Sequence, residues 1–220
     1  MPDLVFSFTG EYMHSTELTN RGQTEEIGKN FNPDLYWFDG DWEQSAEKWK
    51  AEEIRKMILD RNPSAIINSR LQGYGDYATP EQGLPVIRPR DKYCELCMTI
   101  NDSWGYQPND REFKSPAKII KIFAECLSKG GNLLLDIGPK ADGSIPKEEV
   151  TVLKELGKWT KKHSEAIYAT EGGLPAGFFY GPTTLSKDST ILYLLDQQDI
   201  CCREWNQTYL EGVSETLLEQ

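Results

Sequence analysis

Long apolar runs and an excess of basic residues are both missing from this chain of 220 residues. No stretch approaches the roughly 20 apolar residues that a helix needs to cross a bilayer. The first residues also lack the basic and apolar segments of a signal peptide. The net charge of -11 argues against nucleic acid and anionic membranes as partners. We therefore expect a soluble protein that binds neither nucleic acid nor membrane.

Histidine and cysteine are scarce, with two and five copies in the chain. Cys94 and Cys97 have the spacing of a metal or redox pair, but the sequence holds no second pair of this kind. The two lie in a predicted strand, where positions i and i+3 point to opposite faces. We therefore expect reduced cysteines with structural roles, no metal and no cofactor.

Aromatic residues, by contrast, are plentiful, with six Trp and ten Tyr in an acidic chain. Flat apolar side chains of this kind are used by proteins that bind sugars. The composition therefore favours a carbohydrate ligand without establishing one.

Strands and helices alternate along the first part of the sequence, which predicts an α/β fold with parallel strands. Hydrophobic patterns and helix-stop signals place the elements. The predicted strands cover residues 4–8, 35–38, 65–68, 95–100 and 132–137, and the predicted helices cover residues 23–31, 43–60, 116–128 and 146–168. The strand at 132–137 is almost wholly apolar, so we expect it to be covered on both faces.

The composition changes after residue 172, where Gly, Pro and Phe replace the alternating pattern. Short strand-like pieces at 178–180 and 190–195 indicate the start of a small β domain. We therefore divide the chain into a segment of residues 1–172 and a β-rich segment of residues 173–220.

Polar and aromatic side chains follow three of the predicted strands, where the loops of a parallel β/α arrangement meet on one face. The loops carry seven candidate residues: Trp37, Asp39, Arg70, Asp76, Tyr77, Glu81 and Trp104. Asp39 ends a strand, whereas Glu81 lies in a long loop that we expect to be flexible. Two carboxylates of this kind suit glycoside hydrolysis, in which one attacks the sugar and the other protonates the leaving oxygen.

Each candidate also has a structural alternative when it is considered alone. Asp39 and Glu81 could serve as turn residues, Trp37 could belong to the core, and Arg70 could pair with a nearby acid. Glu95, inside a predicted strand, is better explained as a buried acid paired with a basic group than as a catalytic residue.

Six sequence blocks resemble the α-L-fucosidases, family 29 of the glycoside hydrolases, and they follow in the same order. They read PDLYWFDG at 33–40, INSR at 67–70, GDYATPE at 75–81, SWGY at 103–106, GGNLLLDIGP at 130–139, and LGKW with EAIY at 156–168. The resemblance implies a (β/α) barrel fold and a retaining enzyme that releases α-L-fucose from fucosylated oligosaccharides or glycoconjugates.

The resemblance also implies roles for individual residues. Asp39 matches the nucleophile and Glu81 the acid/base, whose position varies between branches of the family, and Trp37 and Arg70 match residues that contact fucose. We add Asp76, Tyr77 and Trp104 as substrate-binding candidates. In a retaining enzyme the two catalytic carboxyl groups approach to about 5 to 5.5 Å.

The chain departs from the family pattern in three places. A barrel needs eight strands and about 250 residues, and the segment before residue 20 lacks the fucose-binding histidines of the first strands. Cys94 stands where relatives have Trp, and Cys201 and Cys202 after Gln197 look foreign to the family.

From these departures we expect a partial TIM-like barrel followed by the start of a small β-sandwich-like domain. Such a chain would have weak activity or none, and its exposed strand edges would favour self-association. The alternatives are a fucose-binding remnant without catalysis and a barrel glycosidase for another sugar.

Overall fold

Parallel strands dominate the first part of the fold in the computed structural model, which describes residues 5–7, 17–84, 93–175 and 177–195. Strands β1 (Val5–Ser7), β2 (Leu35–Trp37) and β3 (Ile66–Ile67) form one sheet in that order. Strands β4 (Cys94–Thr99) and β5 (Gly131–Asp136) form a second parallel pair. The predicted parallel pairing is therefore confirmed.

The segment of residues 77–81 lies between the two sets of strands. Isolated parallel bridges join Tyr77 to Asn68 on one side, and Ala78 and Glu81 to Cys94 and Cys97 on the other. The backbone N–H of Cys97 also donates to the carbonyl oxygen of Pro80 at 2.9 Å. This part of the predicted loop is therefore irregular in form but bonded to both neighbouring strands.

Six α-helices flank these strands: α1 (Glu17–Phe31), α2 (Ala46–Trp49), α3 (Ala51–Arg61), α4 (Pro116–Ser128), α5 (Lys147–Lys162) and α6 (Ser164–Ile167). Helix α4 has the predicted bounds because Ser115 caps it and Pro116 opens it. Helix α1 begins at Glu17 rather than at residue 23.

Two of the predicted helices are each divided in the structure. The segment 43–60 contains a 3-10 turn (Asp41–Glu43), α2 and α3, with Lys50 in the left-handed region at φ 55° between the helices. The buried Trp49 donates its indole N–H to the carbonyl oxygen of Asp41, which ties the end of α2 to the turn before it. The segment 146–168 breaks at His163, between α5 and α6.

The core between β4, β5 and the helices is formed by alternate residues of each strand. Leu96 and Met98 of β4, and Ile100 directly after it, are buried with Ile119 of α4 and Val152 of α5. Leu134 of β5 belongs to the other face and is 38% exposed. The prediction that this strand is covered on both faces is therefore wrong, because helices cover one face only among the residues that the structure describes.

The thiols of Cys94 and Cys97 lie on opposite faces of β4, as their spacing predicts. Cys97 packs with Trp37 and Tyr77, whereas Cys94 lies against Gly131, where an added Cβ would be 2.6 Å from its Sγ atom. Cys94, Cys97 and Cys126 are buried, and none of the three forms a disulfide. Cys201 and Cys202 lie outside the described residues.

An antiparallel sheet follows the last helix. Its strands are β6 (Thr170–Gly172), β7 (Thr183–Ser186) and β8 (Leu192–Leu194), with β7 in the centre. The strand predicted at 178–180 is wrong, since these residues form bends after Gly177. The sheet already begins at Thr170, and the division of the chain at residue 172 stays a prediction.

The described strands form open sheets and no closed barrel, so the partial barrel stays a prediction. Within the same residues, no helix is both long and apolar enough to cross a membrane.

Candidate active site

Arg70, which follows β3, joins the two carboxylates that the sequence singled out. Its guanidinium donates to Asp39 Oδ1 at 2.5 Å and also forms an ion pair with Glu81 Oε1. Its carbon Cζ lies 4.4 Å from the ring centroid of Trp37, and Nε donates to Thr79 Oγ1 at 3.2 Å. Burial lowers the pKa of Arg70, but its bonds to Glu81 and Asp39 raise it by more, so the guanidinium stays charged.

Asp39 is held by its backbone at the end of β2. The side chain of the buried Asn68 accepts from the Phe38 N–H at 2.9 Å and donates to the Phe38 carbonyl oxygen at 2.8 Å. Gly40 then turns the chain at φ 82°, a conformation that glycine adopts without strain. Sequence reasoning did not assign Asn68 this role, because its partner lies on another strand.

Glu81 is tied to β4 on both sides. Cys97 donates its N–H to the Pro80 carbonyl oxygen, and the N–H of Gln82 donates to the Cys97 carbonyl oxygen at 2.9 Å. The backbone around Glu81 is therefore hydrogen-bonded to β4, and the flexibility of this loop stays a prediction. The Glu81 side chain is nevertheless 41% exposed, compared with 27% for Asp39.

A third carboxylate, Glu95 of β4, lies behind Trp37. The indole N–H of Trp37 donates to Glu95 Oε1 at 2.9 Å, so the hydrogen-bond donor is an indole instead of the expected basic group. Burial raises the pKa of Glu95, and the bond from Trp37 and the charge of Arg70 oppose this rise. A carboxyl group whose pKa is raised by burial is suited to proton donation, so Glu95 joins the candidates.

Tyr77 and Cys97 complete the buried side of the site. Burial, reinforced by the charge of Glu95, raises the pKa of the Tyr77 hydroxyl, and among the described residues this hydroxyl has no hydrogen-bond partner. Burial also raises the pKa of Cys97 to about 11. Both side chains therefore stay neutral near neutral pH.

Asp76 is directed elsewhere. Its carboxylate accepts from Arg55 Nη2 at 2.6 Å and from the Ile67 N–H at 2.8 Å. These bonds hold the loop after β3 against α3, and they offer no support for the predicted contact of Asp76 with substrate.

Trp104 lies on the loop that follows β4 and is 54% exposed. Neighbouring bonds shape this loop, including one from the Ser103 hydroxyl to Asp110 Oδ2 at 2.8 Å. Trp104 thus presents an exposed aromatic surface after the carboxyl end of β4, as Asp39 and Arg70 follow the carboxyl ends of β2 and β3.

In this site Asp39 and Glu81 both pair with the guanidinium of Arg70. Glu95 accepts from the indole of Trp37, which packs with the ring of Tyr77. Across the described part of the chain, no group of three or more His, Cys, Asp and Glu residues could hold a metal ion. The arrangement can supply a nucleophile and a proton donor.

Comparison with known proteins gives one consistent result. A family profile described as alpha-L-fucosidase matches residues 9–165. The alpha-L-fucosidase of Dictyostelium discoideum is 31% identical over 159 residues, which are 67% of this chain and 34% of that protein. The chain spans about a third of the length of the curated relatives it matches.

Solved structures agree with this result. Alpha-L-fucosidase isoenzyme 1 from Paenibacillus thiaminolyticus has a TM-score of 0.72 and 34% identity, over 77% of this chain and 44% of that one. An alpha-L-fucosidase from Bacteroides thetaiotaomicron, trapped as a covalent intermediate with 2-fluoro-fucosyl fluoride, has a TM-score of 0.69 and 28% identity, over 79% and 45% of the two chains.

Proposed function

Because the chain belongs to the alpha-L-fucosidase family, we propose that it carries the catalytic centre of a retaining glycoside hydrolase that releases α-L-fucose. The observation that carries this proposal is the ion pairing of Asp39 and Glu81 with one guanidinium, that of Arg70. The substrate class is a fucosylated oligosaccharide or glycoconjugate.

The proposed reaction is a double displacement. Asp39 attacks the anomeric carbon while Glu81 protonates the leaving oxygen, and Glu81 then activates the water that frees the sugar. The guanidinium of Arg70 holds the Asp39 carboxylate in place through their ion pair. The exposed Trp104 offers a face to the sugar, whereas the buried Trp37 lies against Arg70. The covalent intermediate trapped in the Bacteroides relative supports this sequence of steps.

Glu95 is the second candidate for the proton-transfer role. Its partial burial and the raised pKa of its carboxyl group favour a protonated acid, whereas Glu81 is ion-paired with Arg70. Comparing Glu81→Gln with Glu95→Gln separates the two, because loss of the true acid slows fucosides with poor leaving groups far more than those with good ones.

We propose weak turnover or none for the 220-residue chain by itself. Glu81 and Trp104 are both strongly exposed, and an active site that admits water stabilises developing charge less well. We also propose that the uncovered face of β5 favours association with a second copy, since Leu134 is exposed there.

The decisive test replaces Asp39. We expect Asp39→Asn to lower turnover of an aryl α-L-fucoside by about 1,000-fold or to the detection limit, because the nucleophile is lost. The exposed Glu43→Gln, four residues further along the chain, is the matched control. Equal turnover in the Asp39→Asn variant and the unmodified chain would refute the assignment.

A fucose-binding remnant without catalysis is the alternative, and it rests on the exposed aromatic face of Trp104. Calorimetric titration with L-fucose and with galactose distinguishes the cases. A remnant binds L-fucose without any turnover by the unmodified chain, and a glycosidase for another sugar prefers galactose.

A further inference from the structure

The loop that carries Trp104 rests on the turn after β5. We call residues 103–106 the aromatic loop. A Cβ atom added to Gly138 would lie 2.6 Å from the carbonyl carbon of Gly105 and from the nitrogen of Tyr106. The two backbones are therefore in direct contact, and only glycine fits at position 138.

Glu149, in the first turn of α5, holds the backbone at Gly138, in the turn after β5, by hydrogen bonding. It is 1% exposed, and its two carboxylate oxygens accept from the Gly138 N–H at 3.1 and 3.3 Å. The proposed reaction does not use this carboxylate. A buried carboxylate needs such a donor, and its place at a helix N-terminus is favourable for a negative charge.

Asp136, the last residue of β5, is the second anchor. Burial raises the pKa of its carboxyl group, and the nearby backbone N–H groups of Gly105 and Ile137 oppose this rise. The Gly105 carbonyl oxygen accepts from Asn101 Nδ2 at 3.3 Å. Gly105 is thus bonded through its carbonyl oxygen, lies near the Asp136 carboxylate, and rests on Gly138.

We propose that Glu149 is a positioning residue for the substrate wall at Trp104, acting through Gly138, with Asp136 as the second anchor of the aromatic loop. This role rests on the proposed function in one respect, namely that Trp104 contacts the sugar. Glu149 touches neither substrate nor any reacting group, and its effect passes through one backbone contact.

Amide hydrogen exchange of Gly105 and Gly138, followed by NMR, tests the mechanical part. We expect Glu149→Ala to speed exchange at both amides by about tenfold or more, because Gly138 loses its acceptor and the loop its support. Glu149→Gln keeps an oxygen acceptor, so its exchange rates at both amides should stay near those of the unmodified protein. Glu148→Ala, at the exposed neighbouring position, should change neither amide.

Faster exchange at Gly138 alone, with Gly105 unchanged, would overturn the proposal, since Glu149 would then hold only its own turn. If Glu149→Ala does not fold, Gly138→Ala displaces the loop without removing a carboxylate. Its control is Gly157→Ala, where an added Cβ meets nothing within 4 Å. Unchanged exchange at Gly105 in Gly138→Ala would equally overturn the proposal.

Kinetics with an aryl α-L-fucoside test the functional part. Glu149→Ala should raise KM several-fold with little change in kcat, as we also expect for Trp104→Ala. Glu149→Gln should keep KM near that of the unmodified chain. An unchanged KM in Glu149→Ala, beside a loss of turnover in Asp39→Asn, overturns this inference and leaves the proposed function standing. If the unmodified chain has no turnover, the dissociation constant of L-fucose from calorimetric titration replaces KM with the same expected changes, and an unchanged constant in Glu149→Ala overturns the inference.

Discussion

Arg70 is the residue around which the candidate site is organised. Its side chain is only 10% exposed, and its charge is shared between Asp39 and Glu81, while its plane lies over Trp37. A lysine would not reproduce this, because a guanidinium offers several donors in a rigid plane and stacks on aromatic rings. The separation of the two carboxyl groups is therefore set by the width of one side chain.

Glu95 leads to a prediction on pH dependence at the same scale. Because burial raises the pKa of its carboxyl group, the folded protein binds this proton more tightly than the unfolded chain, where the pKa is about 4.3. Stability should therefore fall as the pH rises from the unfolded pKa through the folded one. Glu95→Gln removes this step and keeps an acceptor for Trp37, so the variant gains stability relative to the unmodified protein at pH 8.

Urea unfolding at pH 5 and pH 8 measures this difference. The groups that face Glu95 do not obscure it, because Arg70 stays charged and Tyr77 and Cys97 stay neutral in this range. The exposed Glu148→Gln is the control. The same pH dependence in Glu95→Gln as in the unmodified protein would contradict the prediction.

At the scale of elements, the break between α2 and α3 shows how tertiary contacts override a helical pattern. The apolar stripe in residues 43–60 predicts one helix, yet Lys50 adopts φ 55° and ψ 39°. By contrast, α4 follows its local signals, because Ser115 accepts from the Lys118 N–H at its start and Pro116 opens the helix.

The left-handed backbone at Lys50 predicts that substitution by glycine changes stability in opposite directions at positions 50 and 56. Lys50→Gly should stabilise the protein by about 1 kcal/mol, since glycine adopts the left-handed conformation freely. The exposed ion pair of Lys50 with Glu53 contributes little to oppose this. Lys56→Gly, inside α3, should destabilise by about 1 kcal/mol. Chemical denaturation measures the free energy of unfolding of both variants. An equal loss of stability in Lys50→Gly and Lys56→Gly would contradict the prediction that Lys50 is strained.

At the scale of the whole molecule, the uncovered face of β5 is the main departure from a closed fold. In the described part of the chain, β5 pairs with β4 and with no other strand. Leu134 is exposed on the face that Cys97 also occupies on β4. An apolar face next to an open strand edge is prone to association.

Sedimentation velocity over a range of concentrations tests this association. We expect the unmodified chain to form dimers or larger species as concentration rises, and Leu134→Lys to lower the fraction associated, because a charge is costly in an apolar contact. Ile191→Lys, at an exposed position of the antiparallel sheet region, is the control. A monomer at all concentrations would refute self-association through β5.

The sequence by itself determined the order of strands and helices, the bounds of α4 and the family to which the chain belongs. These features depend on patterns over a few residues: hydrophobic periodicity, capping and contiguous motifs. The tertiary structure alone decided that Arg70 joins Asp39 and Glu81, that Glu95 bonds to Trp37, and that Asp76 turns to Arg55. A charged side chain carries no preference among distant partners until the backbone has fixed which of them lie within a few ångströms.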